Sequence, residues 1–130
     1  MANRNRTAGN AWEREIVKRL NDLEVFPKLG TTRELSSSLD AKKVDITVRD
    51  NEDKFDYAIQ CKNTKSSLNY SKLLSEIDSK DIKVIFHKQT EKKDKNFYVK
   101  GKYAILNLDD FLSIISELER LRDEISNYRP

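Results

Sequence analysis

The 130-residue chain has one cysteine, one histidine, two prolines and three glycines, and each shortage excludes something. With Cys61 alone there is no intrachain disulfide, and with His87 as the only histidine no zinc site of the usual Cys/His kind can be assembled within one chain. Any metal must be held mainly by oxygen. No apolar run approaches the length that spans a membrane, and the N-terminus lacks an apolar signal region, so the expected location is the cytoplasm, with no membrane partner. The scarcity of Gly and Pro, with 36% charged and 37% apolar residues, suits a regular α/β protein rather than a disordered one. The length suits a single domain, expected over residues 8–130 behind a basic arm at residues 1–7.

Net charge is only +3, too weak to argue for nucleic acid by itself, but it is unevenly spread. Residues 1–33 hold seven Lys or Arg against four acids, and residues 88–102 hold six Lys against two. The last twenty or so residues lean acidic instead.

The stretch from Lys43 to Asn63 concentrates the chemistry. By the two-residue period of a strand, Val44, Ile46 and Val48 share one side and Asp45, Thr47 and Arg49 the other. In the next strand Tyr57, Ile59 and Cys61 form the apolar side, opposite Ala58, Gln60 and Lys62. The polar run Asp50-Asn51-Glu52-Asp53 predicts an antiparallel hairpin between them. An acid, an amide and an amine can then meet. Such a group can bind a hard cation and position a phosphate or a water, or it can be an ordinary half-exposed hairpin with an Asp45–Lys62 salt bridge.

Upstream, the spacing predicts a helix over about Ala8 to Leu23. At 100° per residue Ile16, Val17 and Leu20 flank Glu13, which puts a carboxylate inside the apolar stripe. A burial-prone acid needs a partner, a proton or a metal, unless Glu13 merely reaches back to the helix start as a cap. Trp12 reads as a packing residue. Val25–Phe26 could form a short strand, and the polar run Thr31–Lys43 reads as a connection in which Arg33, Ser36, Ser37 and Ser38 are phosphate-friendly donors, or a solvated loop whose serines only satisfy turns.

Beyond Lys62 a loop to Asn69 leads to a short amphipathic helix marked by Tyr70, Leu73, Leu74 and Ile77, then a buried strand at Ile82–Phe86. Strand, helix, strand over this distance predicts a crossover with the Gln60 and Val84 strands parallel. His87, at the end of that strand, is either structural or a phosphate contact. Gln89–Lys95 reads as a lysine-rich loop able to line a duplex. Phe97–Val99 and Tyr103–Leu106 read as two strands turning at Gly101. A helical stripe from Leu108 to Ile125 closes the chain. It is expected to pack on the domain first, and on a partner chain if part of it stays uncovered.

Glu13 on an early helix, Asp45 on a strand, and Gln60 with Lys62 on the next strand together resemble the PD-(D/E)XK nuclease core. The segments G-N-A-W-E-R-E-I-V from Gly9, T-T-R-E-L-S-S from Thr31, V-D-I from Val44 and I-Q-C-K from Ile59 are similar to those of Holliday junction resolvases, especially the small phage-type ones. The resemblance implies a restriction-endonuclease-like α/β fold, with a central mixed sheet flanked by helices. It implies Glu13 and Asp45 as metal-binding carboxylates, the Cys61 main-chain carbonyl as a further oxygen ligand, and Lys62 as the catalytic lysine. Gln60 stands where the family's usual acid would be. The implied cofactor is Mg²⁺, with Mn²⁺ able to substitute, and the implied partners are branched DNA and a second copy in a homodimer. Arg4, Arg6, Arg33, Ser36, Ser37, Lys65, His87 and Lys88 are the expected DNA contacts. A nuclease for restriction, repair or end processing, or a silent DNA-binding module, are the alternatives.

Overall fold

The computed structural model describes residues 4–50 and 52–128, leaving the side chains of residues 4–6 undescribed. Helix α1 (Arg4–Asp22) is followed by strand β1 (Leu29–Thr31), two short helices α2 (Thr32–Leu35) and α3 (Ser37–Ala41), and strand β2 (Ile46–Val48). Strand β3 (Tyr57–Thr64), helix α4 (Tyr70–Glu76), strands β4 (Ile82–Lys93) and β5 (Asn96–Ile105) and helix α5 (Leu108–Tyr128) complete the order. The sheet runs β1-β2-β3-β4-β5. It is mixed: β3 and β4 are parallel, joined through α4, and the other neighbours are antiparallel.

Apolar residues cover both faces of this sheet, as a βαβ unit requires. On one face Trp12 and Ile16 of α1 pack on Leu29, Ile46, Ile59 and Val84. On the other, Leu74 and Ile77 meet Val44, Ala58 and Ile85. The amide of Asn21 bonds both the N–H and the carbonyl of Leu29, which ties the end of α1 to β1. Among the described residues no helix is long and apolar enough to cross a membrane.

The expected hairpin β2–β3, the crossover and the last helix are present, and several local expectations are corrected. The helix already covers Arg4, ahead of the expected Ala8, because residues 4–8 contain no breaker and Gly9 is tolerated at a cost of about 1 kcal/mol. Val25–Phe26 forms no strand; Phe26 instead sets its ring edge-on to Phe55 and Tyr57, and the strand is Leu29–Thr31. The connection Thr31–Lys43 contains α2 and α3, the latter capped by Ser36, whose oxygen accepts from the N–H of Leu39. Val44 does not share a side with Ile46 and Val48. Val44 precedes β2, so the strand's two-residue period does not reach it, and it packs with Leu74 and Ile77 on the α4 side.

The largest correction concerns Gln89–Lys95, which is not a loop. It carries β4 on to Lys93, and the chain turns at Asp94–Lys95, where Asp94 takes φ 58°, a conformation Asp tolerates better than most residues. Gly101 is likewise inside β5, not at a turn. The register jumps from Gln89↔Gly101 to Thr90↔Val99, leaving Lys100 as the extra residue of a bulge. The Tyr103 ring lies where a side chain at position 101 would be.

Candidate active site

β2 pairs with β3 at Ile46↔Ile59, whereas β3 runs on to Thr64. The two strands thus fork just where Asp45 enters. Its N–H donates to the Ile59 carbonyl at 2.7 Å, and its own carbonyl accepts from Thr32 at 2.8 Å, so the backbone of Asp45 is held from both sides. Its side chain fills the fork: Oδ2 accepts the Cys61 N–H at 2.7 Å. Since a strand residue that pairs with a neighbour offers its N–H and C=O to the same side, the Cys61 carbonyl faces this fork as well. The Asp45–Lys62 salt bridge that a plain hairpin would allow does not form among the described residues. Lys62 is half-buried and acts on Asp45 through its charge.

Glu13 comes to the same place from mid-α1, too far from the helix start to be a cap. Its side chain is 12% exposed, and Arg33 Nε stands 3.4 Å from its Oε1. The contact is an ion pair without hydrogen-bond alignment, so Oε1 is buried with no hydrogen-bond partner. Burial raises the Glu13 carboxyl above its ordinary value, the charge of Asp45 raises it further, and Arg33 offsets part of this. Burial also raises Asp45; Asp40 adds to the rise, while the Cys61 N–H, Lys62 and Arg33 oppose it. The Cys61 thiol is pushed well up by burial and then by Asp45 and Glu13.

The arrangement is a desolvated like-charged pair, a site that gains from a proton or a cation. A hard divalent ion would find the carboxylates of Glu13 and Asp45 and the Cys61 carbonyl. Gln60, next along β3, is 5% exposed, and its Oε1 is buried without a partner. An oxygen donor set of this kind fits Mg²⁺. Among the described residues no three His, Cys, Asp or Glu side chains gather as a metal site.

The remaining expected contacts divide. Lys65 is exposed over the Phe97 ring at 4.9 Å, and Lys88 lies 5.9 Å over the Trp12 ring. Trp12 itself is a packing residue, its indole N–H donating to the Phe86 carbonyl. Ser37 is exposed, Ser36 serves α3 as its cap, and Arg33 is engaged with Glu13. Arg4 and Arg6 have side chains outside the described residues. His87 is withdrawn from the list of DNA contacts: it is fully buried, with Nε2 bonded to the Thr64 hydroxyl at 2.8 Å and Nδ1 to the Tyr70 hydroxyl at 2.9 Å. Both ring nitrogens are spent inside the fold.

Two features escaped the sequence reading. Asp40 adds its charge to both Glu13 and Asp45; its place five residues before Asp45 was the available signal. The β4–β5 hairpin is a long two-stranded arm on which Phe97 and Tyr98 are about half exposed among lysines, with Lys92 also over the Phe97 ring. No family model, curated protein or solved structure matches the chain.

Proposed function

We propose that the chain is a metal-dependent DNA endonuclease on a restriction-endonuclease-like core, selective for branched DNA and resolving four-way junctions by hydrolysing phosphodiester bonds. The observation that supports it most is the convergence of Glu13 and Asp45, from a helix and a strand fork, into one half-buried pair beside Lys62. A fold has little structural use for two desolvated acids, with the charge of Asp45 raising the Glu13 carboxyl further.

Glu13, Asp45, Gln60 and the Cys61 carbonyl would hold the ion, which when bound supplies charge neutralisation at the phosphoryl oxygens and acidifies a water. Lys62 orients the attacking water and adds positive charge where negative charge develops. Asp45, fixed by the Cys61 N–H, keeps its geometry without needing Lys62 as a partner. The lysines of the β4–β5 arm, with Lys65 and Lys88, meet the phosphate backbone. Two symmetric nicks need two such sites, hence two copies.

A silent DNA-binding module is the second reading, favoured by Gln60 in place of an acid. One assay separates the readings. The protein is offered a four-way junction, a linear duplex and a single strand, each with Mg²⁺ or EDTA. Paired nicks confined to the junction are expected; cutting of every substrate points to a general nuclease, and binding without cutting to the silent module.

A further inference from the structure

α5 is 21 residues long and buries none of them against the rest of the chain. At 1.5 Å per residue it is about 30 Å of helix. Along it Leu108, Phe111, Ile115, Leu118, Leu121, Ile125 and Tyr128 are 37% to 90% exposed, an apolar face too continuous for a helix that ends in water. The spacing of these seven is 3, 4, 3, 3, 4, 3, with Leu112, 47% exposed, beside Phe111 and outside the symmetric set. It reads the same in both directions, with Leu118 at its centre.

We propose that α5 pairs antiparallel with α5 of a second copy, with the two-fold axis passing at Leu118. In that register Leu118 meets Leu118, Ile115 meets Leu121, Phe111 meets Ile125 and Leu108 meets Tyr128. A seam that is its own reverse suits an isologous antiparallel contact, in which each position meets its counterpart about the two-fold axis.

Charge selects the same direction. α5 carries six acids, while Arg120 and Arg122 are tied to Glu124 at 2.8 Å and Glu119 at 3.2 Å. A parallel pair would set every one of those acids beside its own copy. The antiparallel register puts Asp109 and Asp110 opposite Asn127 and Ser126, and Asp123 opposite Ser113. Only Glu117 and Glu119 meet as like charges, and Arg122 neutralises Glu119. The helix dipoles oppose as well.

The pairing rests on the nuclease reading only for its use, the placing of two sites for paired nicks. Its test is sedimentation equilibrium of the full chain at micromolar concentration. Wild type is expected at twice 15.2 kDa, and Leu118→Glu at the monomer mass with unchanged melting of the domain. Leu118→Cys is expected to cross-link to its own copy on oxidation. Leu108→Cys is expected not to, since the two copies of that position would lie about 30 Å apart. A monomeric wild type, a dimer that survives Leu118→Glu, or cross-linking through Leu108→Cys as fast as through Leu118→Cys overturns the proposal. A dimer that cuts no substrate defeats the nuclease reading and leaves the pairing intact.

Discussion

The Cys61 amide and the Asp45 carboxylate are joined by a 2.7 Å hydrogen bond across the fork between β2 and β3. The bond orients a carboxylate without neutralising it, since an N–H supplies a dipole rather than a charge. Asp45→Asn keeps an acceptor for that N–H and removes the charge. Mg²⁺-dependent cleavage is therefore expected to fall by at least ~10²-fold, with Lys62→Ala falling by a similar factor. Thermal melting in EDTA should stay near wild type for both. Wild-type rates in either variant would refute the assignment.

A proton and a metal ion compete for the same pair. The carboxyls of Glu13 and Asp45 are raised above their ordinary values of 4.5 and 3.8, so the folded state holds their protons to higher pH than the unfolded chain does. Stability from these groups is full below the unfolded values and is lost as pH rises through the raised ones. Without divalent ions, the melting temperature is expected to decline across that window, and less so in Glu13→Gln. Mg²⁺ should raise the melting temperature more above the window than below it, because the ion must displace any remaining protons. Melting curves across pH, with Mg²⁺ and with EDTA, check both expectations.

What the sequence disclosed here follows from which forces act locally. Glu13 beside Ile16, Val17 and Leu20 was legible because helical period alone decides which face an α1 residue occupies. The β3–α4–β4 crossover was legible from length and alternation. Val44 was misplaced because it lies ahead of β2, outside the strand's two-residue period, and nothing in K-K-V-D announces where the strand starts. The β4–β5 arm was misread because Lys and Gln in a hairpin that leaves the sheet look like a loop by composition. In α5 the period disclosed an apolar face, while what covers that face is a property of two surfaces rather than one.

Gln60 provides a test by restoration. Its Oε1 is buried and unpartnered, so Gln60→Glu adds a third carboxylate where the amide now stands. In EDTA the variant is expected to melt lower, because an extra buried charge joins Glu13 and Asp45. With Mg²⁺ it is expected to bind the ion about tenfold or more tightly, as ligand charge increases. Titration calorimetry and paired melting curves report the two effects separately. A variant with weaker Mg²⁺ binding than wild type would remove Gln60 from the ligand set.

His87 should matter to the fold and not to DNA. Replacing it by Ala empties a fully buried position and strands the Thr64 and Tyr70 hydroxyls, a loss of about 2 to 4 kcal/mol. Burial lowers its pKa below the ordinary 6.5, so its contribution is present above that value and is lost as pH falls below it. Denaturant unfolding should show the loss, while junction affinity measured well below the melting temperature should be unchanged.

The β4–β5 arm should behave in the opposite way. Lys92, Lys93 and Lys95 are exposed and hold little of the fold together; the ion pair of Lys93 with Glu91 spans 3.9 Å on an exposed surface and contributes at most about 1 kcal/mol. Changing Lys92 and Lys95 to Gln is expected to leave melting unaltered and to weaken binding to every DNA shape alike. The slope of log affinity against log salt should become shallower by about 1 for each phosphate contact removed. Phe97→Ala tests the aromatic component: with Lys65 and Lys92 over its ring, its loss should reduce affinity for unpaired or branched DNA more than for linear duplex, because stacking needs an exposed base. Equal loss on all three substrates would mean that the ring merely positions those lysines.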